Sequence, residues 1–111
     1  MRILEGDVWY VSFPLEEDPT RFLPRPVIVL NVETLEVLSV KVTKTDPRTD
    51  DNYDTPIVFW QEANFKFKST ARLSKTLYIN KSQFKYKIGI LHPEDLIIIQ
   101  NLFVDFIESR S

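Results

Sequence analysis

The sequence contains no cysteine and a single histidine, His92. Without cysteine the chain has no disulfide scaffold, no thiol nucleophile and no thiolate metal site. One histidine excludes a mechanism in which two histidines of the same chain divide the proton transfers. Because His92 precedes Pro93, a residue type that suits the first position of a helix, we expect it to cap a helix rather than to act in catalysis.

Long hydrophobic runs are also absent. No extended apolar stretch follows the N-terminal residues 1–7, so we expect neither a signal peptide nor a membrane span. The 111 residues fit a single domain, 1–111. Together with the lack of cysteine, these features make the cytoplasm the expected location.

The chain has no excess of positive charge, since 14 Lys and Arg stand against 16 Asp and Glu. This balance counts against a duplex-DNA binder, which usually carries a basic face. The charges are unevenly distributed: acidic residues concentrate in 16–18, in 46–54 and near the C-terminus, and basic residues between 66 and 87. The asymmetry leaves room for one positive surface.

Short apolar and alternating segments dominate the sequence. In 7–13, Trp9, Val11 and Phe13 fall on one face of a predicted strand. An apolar stripe at helical spacing predicts an amphipathic helix over 93–108. The predicted strands are 7–13, 26–30, 35–42, 57–60, 70–79 and 84–91, with a possible helical turn at 61–64 and a turn at 80–82. The fold predicted from this pattern is mainly β (β+α): a small SH3-like β-barrel of bent antiparallel strands with a C-terminal amphipathic helix.

Two segments are predicted to be loops. Residues 14–26 contain four prolines, which break regular strand pairing. Residues 43–56 are almost entirely polar, and long loops in small domains are usually functional or mobile. The acidic residues of this second loop lack the spacing and glycine of an EF-hand, so we expect no metal site and no cofactor.

Several segments occur in a recognisable order along nearly the whole chain. They are EGDVWYVSFP at 5–14, PRPVIVL at 24–30, VKVT at 40–43, STARLSK at 69–75, INK at 79–81 and IGILHPEDL at 88–96. In this order and spacing they resemble the MazF/PemK family, with its opening strand, its arginine–proline strand and a threonine at the end of a later strand. The order carries the resemblance, because each short motif alone is common.

The resemblance implies a plug-like β-barrel that forms a homodimer. It implies a toxin of a type II toxin–antitoxin system that cleaves single-stranded RNA in a sequence-selective way, leaving 2′,3′-cyclic phosphate and 5′-hydroxyl ends without a metal. A cognate antitoxin that occupies the RNA groove is also implied. Arg25 and Thr43 match the catalytic pair of the family.

Arg25 and Thr43 have the chemistry that this reaction needs. When the 2′-hydroxyl of RNA attacks the phosphate, negative charge must be stabilised and protons must move, which a protein can achieve with fixed charges and donors. The planar fork of Arg25 fits two phosphate oxygens, and the hydroxyl of Thr43 can donate to phosphate or relay a proton. From the residues alone, a solvated arginine and a turn-forming threonine are the alternatives.

Four further residues are the expected RNA-binding residues: Arg48, Arg72, Ser69 and Thr45. Arg48 can contact a phosphate, or the aspartates of its own loop can hold it in surface ion pairs. Arg72 lies on a polar strand face, which either an RNA groove or ordinary solvent exposure would explain.

The loop before Arg25 departs from the family pattern. Many members carry Gly-Ser-Glu-Gln there, whereas this chain reads LEEDPTRF at 15–22. No residue matches the loop glutamate of the family in register. Glu17 or Asp18 can take its place in space, or the segment is simply a solvated acidic loop, so the sequence leaves the proton carrier open.

Two other functions are alternatives. CcdB-like toxins share this barrel, bind DNA gyrase without catalysis and typically use an aromatic residue near the C-terminus. This chain ends in ESRS and has the Arg25–Pro26 pair, which favours the ribonuclease. The other alternative is a non-catalytic RNA-binding barrel.

Overall fold

The computed structural model describes residues 2–110 as one six-stranded antiparallel sheet with a C-terminal helix. The elements are β1 (Asp7–Pro14), β2 (Phe22–Val32), β3 (Glu36–Thr43), β4 (Asp54–Pro56), β5 (Thr70–Asn80), a 3-10 turn (Lys81–Gln83), β6 (Phe84–Ile90) and α1 (Pro93–Ser109). The predicted mainly β fold with one C-terminal helix is confirmed. The strand order β4-β5-β3-β2-β1-β6 is linear. The hydrogen-bonded strands therefore form an open sheet, and not the closed barrel that was expected.

Both faces of the central strands are buried. Alternate residues point to opposite faces of a strand, and Val8 and Ile28 accordingly join one apolar cluster while Trp9 and Val27 join another. Helix α1 covers the first face through Ile99. We call this the helix-side face and the other the groove-side face. Trp9, Val11 and Phe13 lie together in the groove-side cluster, as predicted.

The Gly6–Asp7 pair fixes the start of β1. Gly6 has a φ of 86°, a conformation that a side chain disfavours, and its N–H donates to the carbonyl of Val29 at 2.8 Å. The buried carboxylate of Asp7 accepts from the indole N–H of Trp9 at 3.1 Å and pairs with Lys87 Nζ at 3.2 Å. The pair that carries part of the family resemblance therefore has a structural role.

Helix α1 begins with the cap that the sequence predicts. The Nδ1 atom of His92 accepts from the backbone N–H of Glu94 at 3.1 Å, and Pro93 follows at the first helical position. This satisfies one of the donors left free at a helix start. Across residues 2–110, no helix has the length and apolarity needed to cross a membrane.

Residues 58–64 form turns, so the predicted strand over 57–60 is wrong. Asp95, buried in the first turn of α1, accepts from the backbone N–H groups of Val58 at 3.0 Å and Phe59 at 2.8 Å. These donors are thereby bonded to the helix rather than to a neighbouring strand. A single helical turn is present near 61–64, where the N–H of Ala63 donates to the carbonyl of Phe59 at 3.2 Å. The short strand β4 lies earlier, inside the predicted polar loop.

Strand β2 begins at Phe22, four residues before the predicted start, so the loop between β1 and β2 is short. Pro24 and Pro26 pair with β1, whereas pairing with β3 begins only at Val27. Before Val27, one edge of β2 is therefore unpaired. Proline is tolerated at such an edge because its missing N–H costs no ladder hydrogen bond there.

Candidate functional site

The site lies where β2 and β3 stop pairing. Toward the start of β2 and the end of β3, their last pair is Val27 with Lys41. Arg25 and Thr43 each lie two residues further along their strands, so alternation puts both on the groove-side face. Residues that are 18 positions apart in the sequence are thus brought to the same end of the sheet.

A groove with a volume of about 310 Å³ opens beside this end of the sheet. It is lined by the end of β1, by parts of the β1–β2 loop, β2, β3 and β5, and by the loop that follows β3. The charged lining residues are the cations Arg25, Lys41, Arg48, Arg72 and Lys75 and the anions Glu16 and Glu17. A protein of net charge −2 therefore has a local concentration of positive charge, as the uneven sequence pattern allowed.

Arg25 and Lys41 are the groove cations without a counter-ion. Nη1 of Arg25 donates to the carbonyl of Pro24 at 2.9 Å, and neither Arg25 nor Lys41 forms an ion pair with a carboxylate of residues 2–110. Burial and then the positive charges of Arg25 and Arg72 lower the pKa of Lys41. The arrangement is one that a bound anion would stabilise.

Thr43 is linked to Arg72 through Thr45. The Oγ1 atoms of Thr43 and Thr45 are 3.3 Å apart, and Nη2 of Arg72 donates to Oγ1 of Thr45 at 2.8 Å. Thr43 itself does not line the groove. The hydroxyl of Thr45 therefore holds the guanidinium of Arg72 near the end of β3.

Arg48 is held by two aspartates of its own loop. Its backbone N–H and Nε donate to Oδ2 of Asp54, both at 2.9 Å, and Nη2 donates to Asp51 at 2.8 Å. Burial alone would raise the pKa of Asp54, but the hydrogen bonds and charge of Arg48 outweigh it and hold that pKa below its usual range. The alternatives for Arg48 were a phosphate contact or ion pairs within its own loop, and the structure contains the ion pairs. We call the group formed by Arg48, Asp51 and Asp54 the loop clamp.

Arg72 lies between the loop clamp and the groove. Its Nε atom is 3.8 Å from Oδ2 of Asp54, is buried and has no hydrogen-bond partner among the described residues. Its Nη2 atom reaches Thr45, and its backbone pairs with Lys41 of β3. On the polar strand face around Arg72, the side chain of Arg72 itself therefore lines the groove.

Two acidic residues of the β1–β2 loop line the groove. Glu16 forms an ion pair with Lys75, and this hydrogen bond lowers the pKa of Glu16. Glu17 also lines the groove. Asp18 does not line the groove. Its carboxylate accepts from the backbone N–H of Thr20 at 3.1 Å and from the hydroxyl of the same residue at 2.6 Å. Asp18 is thus a turn residue and not a candidate for the missing loop glutamate.

Ser69 lies apart from Arg25. It lines a second, smaller cavity of about 210 Å³, together with Thr45, Trp60 and Lys68. Its hydroxyl donates to the carbonyl of Phe67 at 2.8 Å, and the residue is only 7% exposed. The four predicted RNA-binding residues are therefore distributed between the groove and this neighbouring cavity.

Sequence reasoning did not single out Lys41 or Lys75. Lys41 could have been found, because it alternates with Thr43 on the polar face of a predicted strand. Lys75 has no such signal, since its place at the groove depends on how β5 pairs with β3. The described residues contain no cluster of three or more His, Asp or Glu side chains that could hold a metal ion.

Comparisons with known proteins agree with this fold. Three solved structures are similar. An endoribonuclease in complex with its cognate antitoxin, from a mycobacterial species, has a TM-score of 0.74 and 12% identity, with 96% of each chain covered. An endoribonuclease from a mycobacterial species has a TM-score of 0.71 and 14% identity over 96% of this chain and 91% of the other. The Mycobacterium tuberculosis toxin MazF-mt6 has a TM-score of 0.69 and 15% identity over 92% of this chain and 96% of the other.

At these identities the structural similarity establishes the fold alone. A search of the curated proteins found no match. Residues 4–107, however, match the family described as PemK-like, MazF-like toxin of type II toxin–antitoxin system. Since that match spans nearly the whole chain, this protein belongs to the PemK-like, MazF-like family of type II toxin–antitoxin toxins.

Proposed function

We propose that the protein is a sequence-selective endoribonuclease that cleaves single-stranded RNA without a metal ion, with Arg25 and Thr43 as its catalytic residues. One observation carries the proposal: Arg25 lines a cationic groove and has no carboxylate partner within residues 2–110. A guanidinium that no counter-ion occupies can bind a phosphodiester through two parallel hydrogen bonds. Thr43, which strand alternation puts on the same face of the sheet as Arg25, is the proposed source of the hydroxyl.

The reaction is a transesterification within the RNA. The 2′-oxygen attacks the adjacent phosphorus, a bond forms between them, and the bond from phosphorus to the 5′-oxygen breaks. Arg25 stabilises the charge that grows on the non-bridging oxygens, and the hydroxyl of Thr43 donates to phosphate or relays a proton. The products carry a 2′,3′-cyclic phosphate and a 5′-hydroxyl.

The other residues of the groove act on binding. Arg72 contributes charge directly, while Arg48 positions the loop that carries Thr45. Ser69 and Thr45 line the second cavity, where a nucleotide next to the cut site can lie. Membership of the family, and the fact that two similar proteins are endoribonucleases, support RNA as the ligand of this groove.

A cognate antitoxin is the proposed protein partner. One of the similar structures is a complex with a cognate antitoxin, and an acidic segment of such a partner would neutralise the groove cations. We further propose that the chain forms a homodimer and acts in the cytoplasm, where its RNA substrate and antitoxin are made.

The direct test is cleavage of a mixed RNA pool in EDTA by the wild type and by Arg25→Ala. We expect wild-type cleavage to persist and the variant to lose about 100- to 1000-fold in rate, the usual cost of removing one preorganised donor to the transition state. The matched control is Arg21→Ala, an exposed arginine of the β1–β2 loop outside the groove lining, which should cleave like the wild type. A loss below tenfold in Arg25→Ala would count against its assigned role.

Assays of DNA gyrase inhibition and of RNA binding, made beside the cleavage assay, separate the alternatives. Inhibition of DNA gyrase without RNA cleavage would support a CcdB-like toxin. RNA binding without cleavage or gyrase inhibition would support a non-catalytic RNA-binding protein.

A further inference from the structure

Lys41 and Lys75 are the groove cations to which the proposed reaction assigns no role, and Lys75 is already paired with Glu16. Lys41 lies within β3, flanked by β2 on one side and β5 on the other, and it lines the groove together with Arg25. Its backbone pairs with Val27 and with Arg72, so strand pairing holds it on both sides. Its position next to the proposed cut site is thereby fixed by the sheet rather than by a loop.

Cations surround the ammonium of Lys41. Arg25 on β2 and Arg72 and Lys75 on β5 are positive, and the opposing charge is that of Glu16 on the β1–β2 loop. Glu16, however, is already paired with Lys75. Lys41 has no ion pair with any carboxylate in the described part of the chain, and its Nζ lies 5.7 Å from the ring centroid of Phe13.

These surroundings favour release of a proton. Burial and the neighbouring cations lower the pKa of Lys41 below that of an ordinary lysine. A lysine with a lowered pKa gives up its proton more readily than an ordinary lysine, which suits a proton donor. The arginines of the groove cannot serve, because a guanidinium stays protonated in proteins.

We propose that Lys41 is the proton donor to the leaving 5′-oxygen in RNA cleavage, an inference that rests on the proposed function. As the 2′-oxygen bonds to phosphorus and the bond to the 5′-oxygen breaks, a proton moves from Nζ of Lys41 to the 5′-oxygen. The proton of the 2′-hydroxyl leaves to water, and the neutral amine regains a proton from solvent. Lys41 thus carries one of the protons for which the β1–β2 loop has no family residue in register.

The first test compares Lys41→Arg with Lys41→Met in single-turnover cleavage of an RNA oligonucleotide from pH 5.5 to 9.5, in EDTA. Arginine keeps the positive charge but does not release a proton. We expect both variants to lose about 100-fold, the lower range for general acid catalysis, and any decline of the wild-type rate at alkaline pH to be absent from both. Lys85→Met, an exposed lysine of β6, is the matched control and should retain the wild-type profile. A Lys41→Arg rate within about threefold of the wild type would overturn the inference.

The second test replaces the 5′-oxygen at the cut site with sulfur. A thiolate leaves without the help of an acid, so the loss in Lys41→Met should shrink to less than about fivefold on this substrate. A purely structural or charge-binding role predicts the same loss on both substrates, and that result would contradict the inference.

The two proposals fail in different ways. If Arg25→Ala remains slow on both substrates while the Lys41 variants cleave like the wild type, only the role of Lys41 is overturned. If the wild type cleaves neither substrate, the ribonuclease proposal and the inference that rests on it both fail.

Discussion

Arg25 and Arg48 both line the groove, yet their surroundings are opposite. Arg48 gives its backbone N–H and its guanidinium to Asp51 and Asp54 and so ties the loop after β3 together. Arg25 hydrogen-bonds only to a backbone carbonyl and is free of carboxylates within residues 2–110. The same residue type thus stabilises the fold in one region and, in the other, is available to a ligand.

The two arginines show how a structural cation differs from a functional one. A buried ion pair satisfies its charges within the protein, and removing one partner is costly because the other is left unpaired. An unpaired cation in a groove adds little to stability and is satisfied when an anion binds. Arg72 combines both environments, since it is near Asp54 of the loop clamp and reaches Thr45 at the groove.

Removal of the clamp carboxylate should produce the largest change in stability. Asp54→Ala leaves Arg48 and Arg72 without their shared partner, and the side chain of Asp54 is fully buried. We expect a loss of about 3 kcal/mol in the free energy of unfolding. Urea unfolding followed by circular dichroism measures it.

Two controls sharpen this result. Asp50→Ala changes an exposed aspartate of the same loop, and Arg25→Ala changes a groove cation that has no ion pair with any carboxylate of residues 2–110. Each should alter the free energy of unfolding by no more than about 0.5 kcal/mol. A large stability loss in Arg25→Ala would erase the distinction between the two regions.

The loop clamp should also make the free energy of unfolding depend on pH. The folded state lowers the pKa of Asp54, so its contribution is complete above the unfolded value of about 3.9 and is lost as pH falls through the lower, folded pKa. Asp54→Asn cannot titrate at this position. We therefore expect the difference in free energy of unfolding between the wild type and Asp54→Asn to shrink as pH is lowered below about 4. A difference that stays constant from pH 6 to 2 would show that Asp54 is not held ionised by Arg48.

Removing the hydrogen bond between Arg72 and Thr45, which links the loop clamp to the groove, should have the smallest effect. Thr45→Val removes the acceptor of the 2.8 Å hydrogen bond from Arg72. A hydrogen bond to a charged group is worth about 1.5 kcal/mol, so we expect RNA cleavage to slow by about tenfold. Thr49→Val, an exposed threonine of the same loop, is the matched control and should leave the rate unchanged. Equal rates for both variants would mean that Arg72 does not need Thr45.

Much of the fold could be predicted from local features of the sequence. The alternation in β1, the cap at His92 and the stripe of α1 each depend on neighbours in the chain, and each was found in the structure. The segment 57–60 could not be assigned correctly, because its amides bond to Asp95, which is more than 30 residues away. The early start of β2 was hidden by its prolines, which are allowed only because that edge of the strand is unpaired.

The site was less accessible to sequence reasoning than the fold. Arg25 and Thr43 were suggested by resemblance, and only the pairing register puts them on the same face. The ion pairs of Arg48 and the groove positions of Lys41 and Lys75 depend on the tertiary arrangement. The assigned catalytic roles of Arg25 and Thr43 remain predictions.

The central claim is that an unpaired guanidinium in this groove promotes the attack of RNA on its own phosphate. The most direct measurement is the chemistry of the ends that the wild-type protein leaves on an RNA oligonucleotide in EDTA. The account predicts a 2′,3′-cyclic phosphate on one fragment and a 5′-hydroxyl on the other. A 5′-phosphate would contradict it, because that end requires water rather than the 2′-oxygen as the nucleophile.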